Sequence, residues 1–264
     1  MIKGFTRRSL AKLATVALLV GAGALTTAQA NQLEDIQKRG EITIGTEGTY
    51  APFTFHNDDD VLTGYDVEVG RAIAKALGVK AKFVETPWDG MIAGVDAKRF
   101  DIAINQVTPN PEREQKYLFS VPYMYDHGVL IVKKGNDKIK SLQDAKGLTA
   151  AQGLSSNWTA YSQKLGANLV NAPGSSEAFN LVETGRADFT MNSGLAFADY
   201  LTKKPNARLS VAAQTHESVI AAVLIRKNSP ELKAAIDKAI EQMQKDGTLK
   251  ALSLKYLNTD VSKP

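Results

Sequence analysis

From residue 33 onward, short apolar runs bounded by glycine and proline alternate with stretches whose apolar positions recur at helical spacing. Residues 33–39 predict a short helix, and Glu41-Ile42-Thr43-Ile44-Gly45 alternates as a strand does. Phe53-Thr54-Phe55 and the acid run Asn57-Asp58-Asp59-Asp60 predict a small hairpin. That run lacks the spacing and closing glutamate of an EF-hand loop, so a solvated turn is expected. Residues 67–77 read as a helix stopped by Gly78, 81–85 as a strand, and 91–97 as a helix preceded by the loop Pro87-Trp88-Asp89-Gly90. Asp101-Ile102-Ala103-Ile104 reads as a buried strand that runs into a polar loop holding Pro109, Pro111 and Arg113. Further on, Ser141 caps a short helix over 142–146, and 148–151 is a strand. A Gly/Ser loop then opens a helix over 158–165, and the strand 188–192 precedes a helix over 195–201. Ser229 and Pro230 have the residue types of an N-cap and first helical position, and residues 249–256 form the closing helix.

Strands alternating with helices imply an α/β fold with largely parallel sheets. Two internal echoes suggest that there are two such units. Arg99-Phe100-Asp101-Ile102-Ala103-Ile104-Asn105 is similar to Arg186-Ala187-Asp188-Phe189-Thr190-Met191-Asn192, and both follow helical segments. Val129-Leu130-Ile131-Val132-Lys133-Lys134 and Val223-Leu224-Ile225-Arg226-Lys227-Asn228 are both apolar runs ending in basic turns. If both pass between lobes, the chain leaves the first lobe near residues 125–128 and returns near 218–222. Residues 31–126 and 220–264 would then form lobe 1, with lobe 2 (127–219) inserted in it.

Loops at strand ends are where such folds place their sites. Arg113 can hold a carboxylate through two parallel hydrogen bonds, and Thr108 adds a hydroxyl. Glu47, Tyr50 and Phe53 sit in a loop after the first strand, and Trp88 in the next. Gly153-Leu154-Ser155-Ser156-Asn157 opens a helix and so presents backbone N–H groups that suit an anion. Each has a plainer reading: a surface arginine, aromatic lids on a core, an ordinary helix cap.

Charge and the amino terminus narrow the choice. Lys3, Arg7, Arg8 and Lys12 precede an apolar stretch over residues 14–25 and the small-x-small triplet Ala28-Gln29-Ala30. This is a secretory signal peptide with expected cleavage after Ala30. Without it the 32 basic residues fall to 28, equal to the 28 acidic ones, and no case for nucleic acid or an anionic membrane survives. The absence of cysteine leaves no disulfide and no lipid-bearing thiol, and with only three histidines it speaks against a zinc site. A soluble periplasmic protein without metal or cofactor is expected.

The runs Gly45-Thr46-Glu47-Gly48-Thr49-Tyr50-Ala51-Pro52-Phe53, Leu62-Thr63-Gly64-Tyr65-Asp66-Val67-Glu68, Trp88-Asp89-Gly90-Met91, Glu112-Arg113 with Phe119-Ser120-Val121-Pro122-Tyr123, and Asp246-Gly247-Thr248-Leu249 occur in that order. Together they resemble the polar amino-acid solute-binding proteins of bacterial ABC importers, over essentially all of residues 31–264. Glu47-Gly48-Thr49-Tyr50, Trp88-Asp89-Gly90-Met91 and Ile104-Asn105-Gln106-Val107-Thr108 are most similar to the cystine-binding branch. The resemblance implies a two-lobed type II periplasmic-binding-protein fold, with two α/β lobes joined by two crossing strands and closing on one free amino acid. It implies that Arg113 binds the α-carboxylate, helped by Thr108 and by backbone N–H groups near Ser156. The Gln106 carbonyl would accept from the α-ammonium, Tyr50 and Trp88 would flank the ligand, and Glu47 would stand near its polar end. Many relatives carry an aspartate where this chain has Ser193, and that acid pairs with the ammonium; here the charge partner is missing.

Delivery to an inner-membrane ABC permease, without catalysis and as a monomer, is the expected role. Two others stay open. Prephenate-type dehydratases resemble this family, and Glu47 is the one evident proton donor for such an enzyme. A sensing or adhesive binding protein is the other.

Overall fold

The computed structural model describes residues 31–264, so the expected leader over residues 1–30 and its cleavage lie outside the described residues. The first five-stranded sheet has the spatial order β5 (Lys80–Glu85), β1 (Glu41–Thr46), β6 (Ile102–Ala103), β13 (Leu224–Arg226), β7 (Tyr117–Phe119). The second has the order β10 (Asn168–Asn171), β9 (Thr149–Gln152), β11 (Phe189–Ser193), β8 (Met124–Lys133), β12 (Leu209–Ala221). A small antiparallel sheet of β2 (Thr49–Tyr50), β3 (Thr54–His56) and β4 (Leu62–Thr63) borders the first and contains the expected acid-run turn. In each large sheet the fourth strand runs against the other four.

The first echo is structural. β6 and β11 are each the third strand of their sheet. Asp101 and Asp188, just before them, each accept a backbone N–H from the neighbouring strand, Thr43 in β1 and Thr149 in β9, both at 2.8 Å. Asn105 and Asn192 then occupy corresponding places at the strands' carboxyl ends. The second echo is not structural: Val129–Val132 lies in the second sheet, whereas Leu224 and Ile225 lie in the first. The chain enters the second sheet through β8 and leaves it through β12, which are paired from Met124↔Ala221 to Lys133↔Leu209. Next to that pair, Tyr123 and Ser120 donate their N–H groups to the carbonyls of Ala221 and Val223. The connection between the lobes is thus a two-stranded ribbon.

Helices cover the sheets. The first lobe carries α1 (Gln32–Arg39), α2 (Tyr65–Ala76), α3 (Trp88–Asp96), the short α4 (Pro111–Lys116), α8 (Pro230–Lys245) and α9 (Thr248–Leu257). The second carries α5 (Asn157–Lys164), α6 (Ser175–Glu183) and α7 (Gly194–Lys203). Ile36, Ile44, Ile73, Ile236 and Leu249 meet in the largest core cluster, and Ile131, Phe179, Val182 and Phe197 in one of the second lobe.

Several local expectations are corrected. Trp88 opens α3 rather than standing in a loop, because Pro87 already sits at the N-cap with extended backbone. Arg113 lies within α4, which Asn110 caps by accepting the Arg113 N–H at 2.9 Å with Pro111 at the first turn. The Ser229 hydroxyl makes no cap bond at α8; it donates instead to Gln32 of α1 and ties the two helices together.

The Phe100 ring is wedged between β1 and α3, against Gly45 on one side and Gly94 on the other; a methyl group at either glycine would overlap it. Overfilling a packed core in this way costs about 1–3 kcal/mol. Gly45→Ala is therefore expected to lower the urea midpoint by that amount of stability, whereas an unchanged midpoint would show that the ring can move aside.

Candidate functional site

A cavity of about 220 Å³ opens between the two lobes. The first lobe lines it with the loops after β1 (Glu47) and β6 (Asn105, Gln106, Thr108), with Tyr50 and with the start of α3 (Trp88). The second lobe contributes the loops after β9 (Gly153, Ser156) and β10 (Pro173, Gly174), the end of β11 (Asn192, Ser193), and Asp126 and Trp158. Strand carboxyl ends from both sheets thus converge on one space, as open α/β sheets require. Seven of the eight expected residues line it: Glu47, Tyr50, Trp88, Gln106, Thr108, Ser156 and Ser193.

Arg113 is the eighth and is not among the lining residues. Its side chain is buried just behind the wall, with the guanidinium carbon 5.6 Å from the centre of the Trp88 ring. One guanidinium nitrogen donates to the Thr108 carbonyl at 2.6 Å and another to the Ser155 carbonyl of the opposite lobe at 2.7 Å. Both partners are neutral, and burial lowers the Arg113 pKa to about 10. The lobes are held together by further bonds near it. The Ser155 hydroxyl donates to Asp89 at 2.7 Å, and the Tyr50 hydroxyl to the Asn192 side-chain carbonyl at 2.6 Å.

Glu47 is committed within its own lobe. Its carboxylate accepts from the Asn105 side-chain NH2 at 2.6 Å, while its own backbone N–H donates to the Asn105 side-chain oxygen Oδ1 at 2.9 Å. Burial raises its pKa, opposed by Asn105 and by the backbone N–H of Trp88 at the start of α3. Ser156 caps α5 by accepting the Trp158 N–H at 3.2 Å, but its own N–H is taken by the Gly153 carbonyl. It therefore has no free backbone donor for a ligand. Ser193 caps α7 by accepting from Ala196 at 3.1 Å, and its hydroxyl proton goes to Asp126.

Gln106 has a left-handed backbone, φ 54°, rare for a residue with a side chain. Asp66, fully buried in the first turn of α2, holds it there: one carboxylate oxygen accepts the Gln106 backbone N–H and the other the side-chain amide, both at 2.7 Å. Reading the residues alone missed the roles of Asp66, Asp126, Asn105, Asn192 and Trp158. Only the Asn105–Asn192 echo gave a signal for any of them.

The architecture is that of two-lobed amino-acid-binding proteins, and the chain belongs to the bacterial extracellular solute-binding proteins, family 3, which it matches over residues 42–259. It is 44% identical over 229 residues to the L-cystine-binding protein TcyA of Bacillus subtilis, covering 86% of this chain and 85% of that one. It is 40% identical to a probable amino-acid ABC transporter-binding protein of Haemophilus influenzae, covering 94% of this chain and 97% of the other. Among solved structures it is similar to the L-cystine solute receptor of Neisseria gonorrhoeae in its unliganded open conformation. That match is at 43% identity, with 89% of this chain and 100% of that chain covered and a TM-score of 0.60. In the present structure hydrogen bonds span the cleft, so the lobes are in contact across it.

Burial raises the Asp66 pKa to about 7, against about 4 in an unfolded chain. The folded state therefore binds this proton more tightly. The resulting stabilisation is complete below about pH 4 and is lost as pH rises through about 7, by roughly 4 kcal/mol at most. Denaturant titrations of wild type and Asp66→Asn are expected to show the wild type losing ground to the variant between about pH 4 and 8. A difference independent of pH would contradict the linkage.

Proposed function

We propose that this protein is the periplasmic receptor of an amino-acid ABC importer, exported by its leader, which closes on one polar amino acid and presents it to an inner-membrane permease. L-cystine or a close relative is the proposed ligand, in line with the names of the cystine-binding relatives and with the branch that residues 104–108 resemble. The observation that carries the reading is Arg113: a buried cation with only neutral carbonyl partners, bridging both lobes beside a cavity. A charge withdrawn from water is stabilised by an opposite charge. A ligand α-carboxylate supplies that charge and can take over the planar fork from the two carbonyls.

The other polar groups fit the rest of an amino acid. The Gln106 carbonyl, fixed by Asp66, is the proposed backbone acceptor for the ammonium. Tyr50 and Trp88 supply walls, and closure strengthens every polar contact by excluding water. Glu47 carries a raised pKa, as an acid catalyst would, but its hydrogen bonds with Asn105 and Trp88 favour the ionised carboxylate. A binding role therefore suits it better than proton donation, and no catalytic residue is proposed.

The test is calorimetric titration of protein unfolded and refolded to strip carried-over ligand, with L-cystine first and then the other amino acids. Saturable one-to-one binding without product is expected. Arg113→Ala is expected to weaken it by about 2–5 kcal/mol, thirtyfold or more. Arg113→Lys should not restore it, because an ammonium lacks the fork. Unchanged affinity in Arg113→Ala would falsify the carboxylate role.

A further inference from the structure

The cavity's electrostatics are one-sided. Among the described residues that line it, two are carboxylates, Glu47 and Asp126, and none is basic. Glu47 is bound to Asn105 of its own lobe, as described above. Asp126 stands across the cleft, in β8. Its donors are the Ser193 hydroxyl and the backbone N–H groups of His127 and Leu195, the latter in the first turn of α7. All three are neutral, and burial raises its pKa. The neighbouring His127 is exposed and makes no ion pair with it. Asp126 is thus a partly buried carboxylate with no salt-bridge partner among the described residues, facing the ligand space from the lobe opposite Arg113.

The register explains how it comes to lie beside Ser193. β11 and β8 are antiparallel neighbours with Ser193 opposite Gly128. Asp126 is two residues from Gly128, so its side chain leaves β8 on the same face, one diagonal step from Ser193. A carboxylate on β8 therefore reaches the space that a longer acidic side chain at position 193 would fill. The Ser193 hydroxyl is fully used: it caps α7 and steers its one proton onto Asp126. Ser193 positions the carboxylate, and Asp126 carries the charge.

We propose that Asp126 is the residue that binds the α-ammonium of the ligand, so that the missing acid at position 193 is a relocation of charge from β11 to β8 rather than its loss. This rests on the amino-acid receptor reading above. It adds the prediction that the site discriminates strongly for the amino group through a residue on the ribbon joining the lobes.

The test is calorimetry with two probes, L-cystine and 3,3′-dithiodipropionate, the same disulfide skeleton without its amino groups. Should wild type prefer another amino acid, that acid and its deaminated analogue replace them. Asp126→Asn is expected to weaken the amino acid by about tenfold or more while leaving the already weak analogue unchanged. Asp126→Ser combined with Ser193→Asp is expected to regain most of the lost affinity, because it returns the charge to the same space from the neighbouring strand. Asp126→Asn at wild-type affinity, an equal loss for both probes, or a folded exchange variant as weak as Asp126→Asn would each overturn the assignment. A wild type that binds no amino acid at all would overturn the receptor reading itself, and so the two failures are distinguishable.

Discussion

The arginine at position 113 is the constraint around which the closed molecule is arranged. Its guanidinium is out of water, its pKa is depressed, and its hydrogen bonds end on a carbonyl of each lobe. A buried charge of this kind is costly unless an opposite charge meets it. Without ligand, the carbonyls of Thr108 and Ser155 satisfy its protons but not its charge. In the proposed receptor role, closure of the lobes and capture of an anion are thereby linked: the residue proposed to take the anion is also one that bridges the cleft. Bonds from Ser155 to the Asp89 carboxylate and from Tyr50 to the Asn192 side chain add contacts across the cleft that make the closed geometry specific.

The fold delivers these groups because each sheet ends its parallel strands at the same face. β1 and β6 bring Glu47, Asn105 and Gln106; β9 and β11 bring Ser156, Asn192 and Ser193. The repeated Asp-to-strand bonds at Asp101 and Asp188 set both third strands at equivalent heights, so Asn105 and Asn192 face one cavity from opposite sides. Asp66 adds a second layer of control. It holds Gln106 in a backbone conformation that a side-chain-bearing residue rarely adopts, and this fixes the loop that also carries Thr108 and leads into α4.

Much of this was legible from residue pattern. The site loops lie where apolar strands give way to polar residues broken by glycine and proline, so Glu47, Tyr50, Thr108 and Ser156 stand out from the pattern alone, whereas the role of Gln106 came only with the family resemblance. The less legible parts depended on neighbours distant in the chain. Asp126 reads as an ordinary polar residue ahead of the apolar run from Val129; only the pairing of β8 with β11 places it beside Ser193. β12 has no alternating signal, because register irregularities between Val211 and Ala213 and between Gln214 and Ser218 break its two-residue period. The hydroxyl of Ser229 looked like a cap in isolation, and tertiary packing against Gln32 redirected it. Arg113 was recognised by type, but its position behind the Trp88 wall, spent on carbonyls, follows from α4 and from closure.

The most direct test of the account is a crystal structure of the protein with its amino acid bound. The Arg113 guanidinium is expected to turn from at least one of the Thr108 and Ser155 carbonyls and take the ligand α-carboxylate through two parallel hydrogen bonds, with the lobes still closed. A complex in which Arg113 keeps both carbonyls while the ligand carboxylate lies elsewhere would contradict it.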